Sequence, residues 1–203
     1  MFVKICGITR ERDAQAAVDS GAAAIGFVFW EGSPRFIEPE RARAIVRTLP
    51  PFVTPVGVFV NASIERVNEL ANTAELGAVQ LHGEEQPDML NAVARPVVKA
   101  LGCVDEDTAA RWPRRVLLLV DADDRVRRGG TGVKADWEAG ARLAATRRIL
   151  LAGGITPANI AEAVRTVRPF GIDVSSGVEE SPGIKDAQRI RELFEALREG
   201  LRS

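Results

Sequence analysis

A chain of 203 residues, 46% of them hydrophobic, can bury one sizeable core, and no stretch rich in Ser, Pro or charge splits it in two. Its net charge of −1 and pI near 6.0 exclude a general attraction to nucleic acid or to a membrane surface. There is no signal-peptide pattern and no apolar run of membrane-spanning length, and two cysteines make no disulfide framework, so a reducing cytoplasm is the expected setting.

In chain order the sequence alternates between two kinds of segment. Phe2 to Ile5 reads as a short buried strand that ends at Cys6, with Gly7 as a turn and Thr9 as the expected cap of a helix starting at Arg10. Gly21 ends that helix, and Ala24 to Phe29 is a second strand. Pro39 opens a helix with Ala42, Ile45, Val46 and Leu49 on its apolar side. Pro55 to Val60 is the third strand, and Ser63 caps a helix carrying Val67, Leu70 and Ala71. Ala78 to Leu81 is the fourth, ending at His82-Gly83, and Pro87 starts a short helix. Val97 to Leu101 is the fifth, with a weak helical stretch after it.

Val116 to Val120 is the sixth strand, ending in Asp121, and a long loop follows to Gly129-Gly130-Thr131-Gly132 and a helix from about Asp136. Ile149 to Ala152 is the seventh and runs into Gly153-Gly154; Thr156 and Pro157 are expected to cap and begin the next helix. Gly171 to Val174 is the eighth and runs into Ser175-Ser176-Gly177. The last helix shows Ile190, Leu193, Phe194, Leu197 and Leu201 at helical spacing.

Strands that are apolar throughout, each followed by an amphipathic helix, imply a parallel sheet covered by helices. Eight such units in this length predict a single α/β domain over residues 1–203, a (β/α)₈ TIM barrel with an abbreviated fifth helix. A doubly wound sheet would stop at five or six strands, and its dinucleotide and phosphate-loop fingerprints are missing.

Barrel active sites sit at the C-terminal ends of the strands. That rule puts Cys6 and Asp121, each ending an apolar strand, at one pocket, with Arg35, Asn61, His82 and Ser175 on the same rim. Gly153-Gly154 and Ser175-Ser176-Gly177 follow strands seven and eight, where this fold usually holds phosphate. Small residues there let backbone N–H groups approach an anion, and Gly177 is expected to serve by leaving its path open.

The segments K-I-C-G-I-T, G-F-V-F…S-P-R-F, V-G-V-F-V-N, V-Q-L-H-G, L-L-L-V-D, G-G-T-G, L-A-G-G-I-T-P-x-N and D-V-S-S-G-V-E…P-G-x-K-D, in this order from Lys4 to Asp186, resemble the phosphoribosylanthranilate isomerase family. The resemblance implies a cofactor-free, metal-free enzyme of tryptophan biosynthesis. Its reaction is an Amadori rearrangement of N-(5-phosphoribosyl)anthranilate to a carboxyphenylamino-deoxyribulose 5-phosphate. It implies Asp121 as general acid, protonating the ring oxygen, and Cys6 as general base, removing the C2 proton. For both roles at neutral pH, Asp121 must keep a proton part of the time and Cys6 must lose one.

By the same resemblance Arg35 meets the anthranilate carboxylate. His82 takes either a substrate-side role or a structural loop bond, and Asp173 either holds a sugar hydroxyl or is an acid of the barrel interior. Cys103 reads as structural, and Trp30, Trp112 and Trp137 as loop-edge or helix-packing residues. The charged run Asp123 to Arg128 either covers the substrate or is a solvated flap. The expected partner is the phosphosugar-anthranilate substrate alone, and the chain is a monomer or a homodimer. A histidine-pathway isomerase would carry aspartate in place of Cys6, and a non-catalytic phosphosugar-binding barrel could dispense with Cys6 or Asp121.

Overall fold

The computed structural model describes residues 1–102, 106–121 and 137–201; Cys103 and the loop 123–132 lie outside them. Eight parallel strands close in sequence order: β1 (Phe2–Ile5), β2 (Ala24–Val28), β3 (Thr54–Phe59), β4 (Ala78–Leu81), β5 (Val97–Leu101), β6 (Leu117–Asp121), β7 (Ile149–Ala152) and β8 (Gly171–Val174). β8 pairs with β1, Lys4 standing opposite Asp173, so no edge is left open.

The alternation of a strand sorts its residues between two cores. Val3, Ile5, Ile25, Phe27, Val79, Leu118 and Leu151 face outward and join the apolar sides of the helices in one large cluster. The inward residues form smaller groups: Phe2, Ala24, Val56 and Ala78 near the N-terminal end, Ala100, Leu119, Leu150 and Ala152 beside them, and Cys6, Val28, Val58 and Trp30 at the C-terminal mouth. Lys4, Gln80 and Asp173 are buried polar residues of this interior.

The outer helices are α1 (Glu11–Ser20), α2 (Pro39–Val46), α3 (Ile64–Thr73), α4 (Glu106–Ala110), α5 (Trp137–Thr146), α6 (Ile160–Val167) and α7 (Ala187–Gly200). Several ends form as expected: Gly21 closes α1 at φ 113°, Pro39 opens α2, and Ser63 Oγ accepts from Arg66 N at the start of α3. The abbreviated segment after β5 is the five-residue α4, and the segment after β4 is shorter in kind, a 3₁₀ turn at Pro87–Asn91.

Two expected caps are corrected. Thr9 does not cap α1: its Oγ1 donates to the Gly183 carbonyl at 2.5 Å, and Arg10 is the N-cap without a side-chain bond. α6 starts at Ile160, not Pro157, because Asn159 reaches back to the preceding loop: its Oδ1 accepts from Thr156 N and its Nδ2 donates to Gly154 O. Sequence periodicity also passed over a hairpin, β9 (Glu179–Ser181) with β10 (Ile184–Lys185), which stands between β8 and α7.

Candidate active site

The mouth of the barrel carries two groups of polar side chains. On the β1, β2 and β8 side, Cys6 is buried directly beyond β1, its N–H donating to Val174 O and its carbonyl accepting from Ser175 Oγ at 3.1 Å. Below it Lys4 donates to Asp173 Oδ1 at 2.9 Å, both side chains being out of solvent. Burial pushes the Cys6 thiol up, and Asp173 adds to this, while the Lys4 and Lys185 charges pull it down; burial prevails. Burial also opposes the Lys4 ammonium, but Asp173 and Cys6 hold its pKa above the ordinary lysine value.

Arg35, on the loop after β2, lies over Gly7: a Cβ there would stand 2.6 Å from Arg35 Cδ, and φ of 75° also suits only glycine. The guanidinium is held by Glu179, with Nε–Oε1 2.9 Å and Nη2–Oε2 2.6 Å. Glu179 is a hub, since its Oε1 also accepts from Lys185 Nζ at 2.7 Å and Gly183 N at 3.2 Å. Lys185 in turn donates to the Ser175 carbonyl at 3.1 Å, tying the hairpin to the loop after β8. Burial disfavours both ions, yet Arg35 and Lys185 together keep the Glu179 carboxyl below its usual range; the Lys185 amine, chiefly through burial, falls below its own.

On the β4 and β6 side, His82 Nε2 faces Asp121 Oδ2 at 3.8 Å. The Gln80 side-chain amide and His82 Nδ1 lie 2.9 Å apart, a hydrogen bond that fixes the orientation of the imidazole. Loss of hydration, reinforced by the Lys4 and Lys99 charges, lowers the His82 pKa, so the ring is neutral at pH 7. The loop that carries His82 is fixed from beneath. Glu85 accepts from Asn61 N and Gly83 N at 2.8 Å each, and a buried Lys99 holds Glu85 at 2.7 Å and the Gly83 carbonyl at 2.6 Å. Asn61, grouped with the polar rim by its place in the sequence, is a staple of this loop: its Oδ1 accepts from Glu84 N at 2.7 Å.

The loops after β7 and β8 meet each other. A Cβ on Gly177 would sit 1.8 Å from the Ile155 carbonyl oxygen. Gly177 is therefore required by contact between the two loops, which corrects the expectation that its bareness serves only to admit an anion. Gly153 and Gly154 adopt φ of 80° and 62°, and the space beside Gly154 is open. Ser176 and Gly177 lie in a 3₁₀ turn that begins beyond Ser175.

Trp30 is likewise more than a loop-edge residue. It folds against Gly32 and packs on Cys6, Val28 and Val58, making an apolar shelf beside the thiol. Trp112 is buried beneath Lys99, whose Nζ stands 5.6 Å from the ring centroid, and Trp137 packs on the outer core. Glu179 and Lys185 stand within the V-E…P-G-x-K-D segment, whose order was visible but not the fold-back that gives each a partner. Lys4 and Gln80 stand in the quoted K-I-C-G-I-T and V-Q-L-H-G segments, but neither their partners nor the Glu85–Lys99 pair could be read there.

Comparison with known proteins gives the family and the fold. The N-(5'phosphoribosyl)anthranilate (PRA) isomerase family profile matches residues 3–196. The N-(5'-phosphoribosyl)anthranilate isomerase of Trichlorobacter lovleyi is 50% identical over 206 residues, covering 98% of each chain. The crystal structure of phosphoribosyl anthranilate isomerase from Thermotoga maritima superposes with a TM-score of 0.91 at 41% identity, covering 98% of this chain and 99% of that one. A further structure, of monomers generated from that dimeric enzyme, gives 0.83 at 38% over the same shares. A phosphoribosyl anthranilate isomerase in complex with reduced 1-(o-carboxyphenylamino)-1-deoxyribulose 5-phosphate gives 0.87 at 40%, again over 98% and 99%. The chain belongs to the N-(5'-phosphoribosyl)anthranilate isomerase family, the isomerases of tryptophan biosynthesis.

Proposed function

We propose that this chain carries out the Amadori rearrangement with Asp121 as general acid and Cys6 as general base. The observation that carries the reading is that each follows or ends an inward-facing register of the barrel at its C-terminal mouth, on strands three apart around one interior. Asp121 delivers a proton to the furanose ring oxygen, the C1–O bond opens, and a protonated imine forms at C1. The Cys6 thiolate then takes the C2 proton, leaving an enamine that tautomerises to the ketone.

The surrounding groups suit the remaining parts of such a substrate. The loops at Gly153-Gly154 and Ser175-Ser176-Gly177 offer backbone N–H groups to the phosphate, with open space beside Gly154. Arg35, pre-oriented by Glu179, is a cation for the anthranilate carboxylate, and the Trp30–Val28–Val58 shelf beside Cys6 fits the aromatic ring. A neutral His82 beside Asp121, at 3.8 Å, adds no positive charge that would oppose protonation of the aspartate. The paired Asp173 is read as an interior acid ahead of a ligand for a sugar hydroxyl.

Single-turnover kinetics on fully bound substrate test the assignment. Cys6→Ser and Asp121→Asn are each expected to slow the chemical step by about 10²–10⁴-fold, with substrate affinity little changed. A near-wild-type chemical rate in either variant removes that residue from the mechanism.

A homodimer is the assembly we favour, on the N-terminal face of the barrel. Phe52 is 96% exposed just before β3, Met1 and Phe170 are half-exposed just before β1 and β8, and a mostly apolar cavity of about 400 Å³ opens on the same face between Thr54, Val56, Val97 and Leu117, with Arg95 and Arg115 on its wall. An apolar knob next to an apolar hollow is a self-complementary surface for a two-fold pair.

A further inference from the structure

We propose that Lys4 is a built-in counter-charge for the Cys6 thiolate, held in place by Asp173, and thus a positioning residue for the reaction; this rests on the reading of Cys6 as the base. The interior of such a barrel is ordinarily filled by branched aliphatic side chains. Here the centre of β1 projects a lysine that is 1% exposed, one of the largest fully buried side chains among the described residues. Taking an ammonium out of water costs several kcal/mol, and Asp173, its register partner on β8, offsets that by direct pairing at 2.9 Å.

Neutralising a lysine explains the aspartate but not why a lysine is there. The answer lies in where its side chain goes. β2 presents Gly26 to the interior, and a Cβ at that position would stand 2.8 Å from Cys6 Sγ and 3.0 Å from Lys4 Cε. Sulfur and lysine stem crowd one methyl-sized space, which glycine leaves to them. Lys4 therefore runs along the interior toward the thiol two residues on, its stem beside the sulfur and its ammonium, held on Asp173, close enough to act on it through charge.

The charged groups facing the thiol come from four elements. Lys4 on β1 and Lys185 on β10 favour the thiolate, Asp173 on β8 opposes it, and Arg35 on the loop after β2 also feels the thiolate charge. Burial opposes ionisation of the sulfur and prevails, and the cation beneath it offsets part of that cost. Lys4 itself keeps its proton more firmly than an ordinary lysine. It is consequently a fixed charge and not a proton carrier: when the thiolate takes the C2 proton, Lys4 stays charged and Asp173 remains its partner.

The test measures the thiol directly. The rate of Cys6 alkylation by iodoacetamide is followed against pH, with the Cys6 peptide resolved from the Cys103 peptide by mass spectrometry. An opposite charge at close range lowers a pKa by about 1–3 units, so Lys4→Met is expected to move the alkylation midpoint up by about one unit or more. The basic-side midpoint of kcat/KM is expected to move with it, while KM holds. Since Lys4→Met leaves Asp173 buried and unpaired, Lys4→Met/Asp173→Asn is measured beside it, and its midpoint is expected to lie above wild type too. Lys4→Arg, which restores a charge, is expected to return the midpoint toward wild type. An alkylation midpoint unchanged in a folded Lys4→Met or double variant overturns the proposal. That readout is independent of whether Cys6 is the base, which the single-turnover rate of Cys6→Ser decides separately.

Discussion

Gly177 and the Ile155 carbonyl oxygen stand so close that a methyl group on Gly177 would lie 1.8 Å from that oxygen. The loops following β7 and β8 are thus locked to each other backbone to backbone. Gly177→Ala is expected to force them apart and raise KM at least about tenfold, equivalent to about 1.4 kcal/mol, with kcat less affected. Steady-state kinetics with inorganic phosphate as competing inhibitor check this. If KM and the inhibition constant for phosphate both stay at wild-type values in a folded variant, the two loops do not form the phosphate site.

Arg35 sits on Gly7 with two of its nitrogens on Glu179. Loss of a charged hydrogen-bonding partner for the substrate carboxylate is worth about 1.5–3 kcal/mol, so Arg35→Ala is expected to raise KM about 10- to 150-fold. A substrate analogue lacking the carboxylate serves as the control. Equal losses on substrate and analogue would show that Arg35 acts through the hairpin and not on that group.

Glu85 and Lys99 form a buried pair beneath the His82 loop, and Arg35 and Lys185 flank Glu179. Burial works against each carboxylate, yet these cations hold both below the ordinary glutamate range. The folded state thus binds these protons less readily than the unfolded chain. Their stabilisation is complete above the unfolded pKa, about 4.3, and is lost as pH falls through it toward the lower folded values. Glu85→Gln is expected to cost about 3–5 kcal/mol at pH 7 by leaving Lys99 unpaired, and to show a shallower loss of stability on acidification. Urea midpoints measured from pH 7 down to the onset of acid unfolding give both quantities. An unaltered acid slope would mean that Glu85 titrates alike in the folded and unfolded chain.

Phe52 tests the assembly. Phe52→Asp places a charge at the centre of the exposed apolar face and is expected to give a monomer by sedimentation equilibrium where the unaltered chain gives a dimer. Because this face is at the opposite end of the barrel from Cys6 and Asp121, the monomer is expected to keep its kcat at moderate temperature. A wild-type chain that sediments as a monomer would remove the dimer reading outright.

The barrel was legible in the sequence because the features that encode it are local. Strands such as Val116 to Val120 are apolar on both faces, helices such as Ala187–Gly200 are apolar on one, and these periods follow from backbone geometry a few residues at a time. The same locality places Cys6, Asp121 and the glycine loops at strand ends, and the quoted motifs tie them to one family. What only the tertiary structure decided is which charges meet. Lys4 reaches Asp173 across 169 positions because β8 closes on β1, and Thr9 reaches Gly183 across 174 because the β9–β10 hairpin folds over the mouth. Arg35 finds Glu179, and Gly177 must be bare, for the same reason: register and closure bring distant loops together. Those contacts depend on the whole barrel having formed, and no window of sequence short enough to show a period contains both partners.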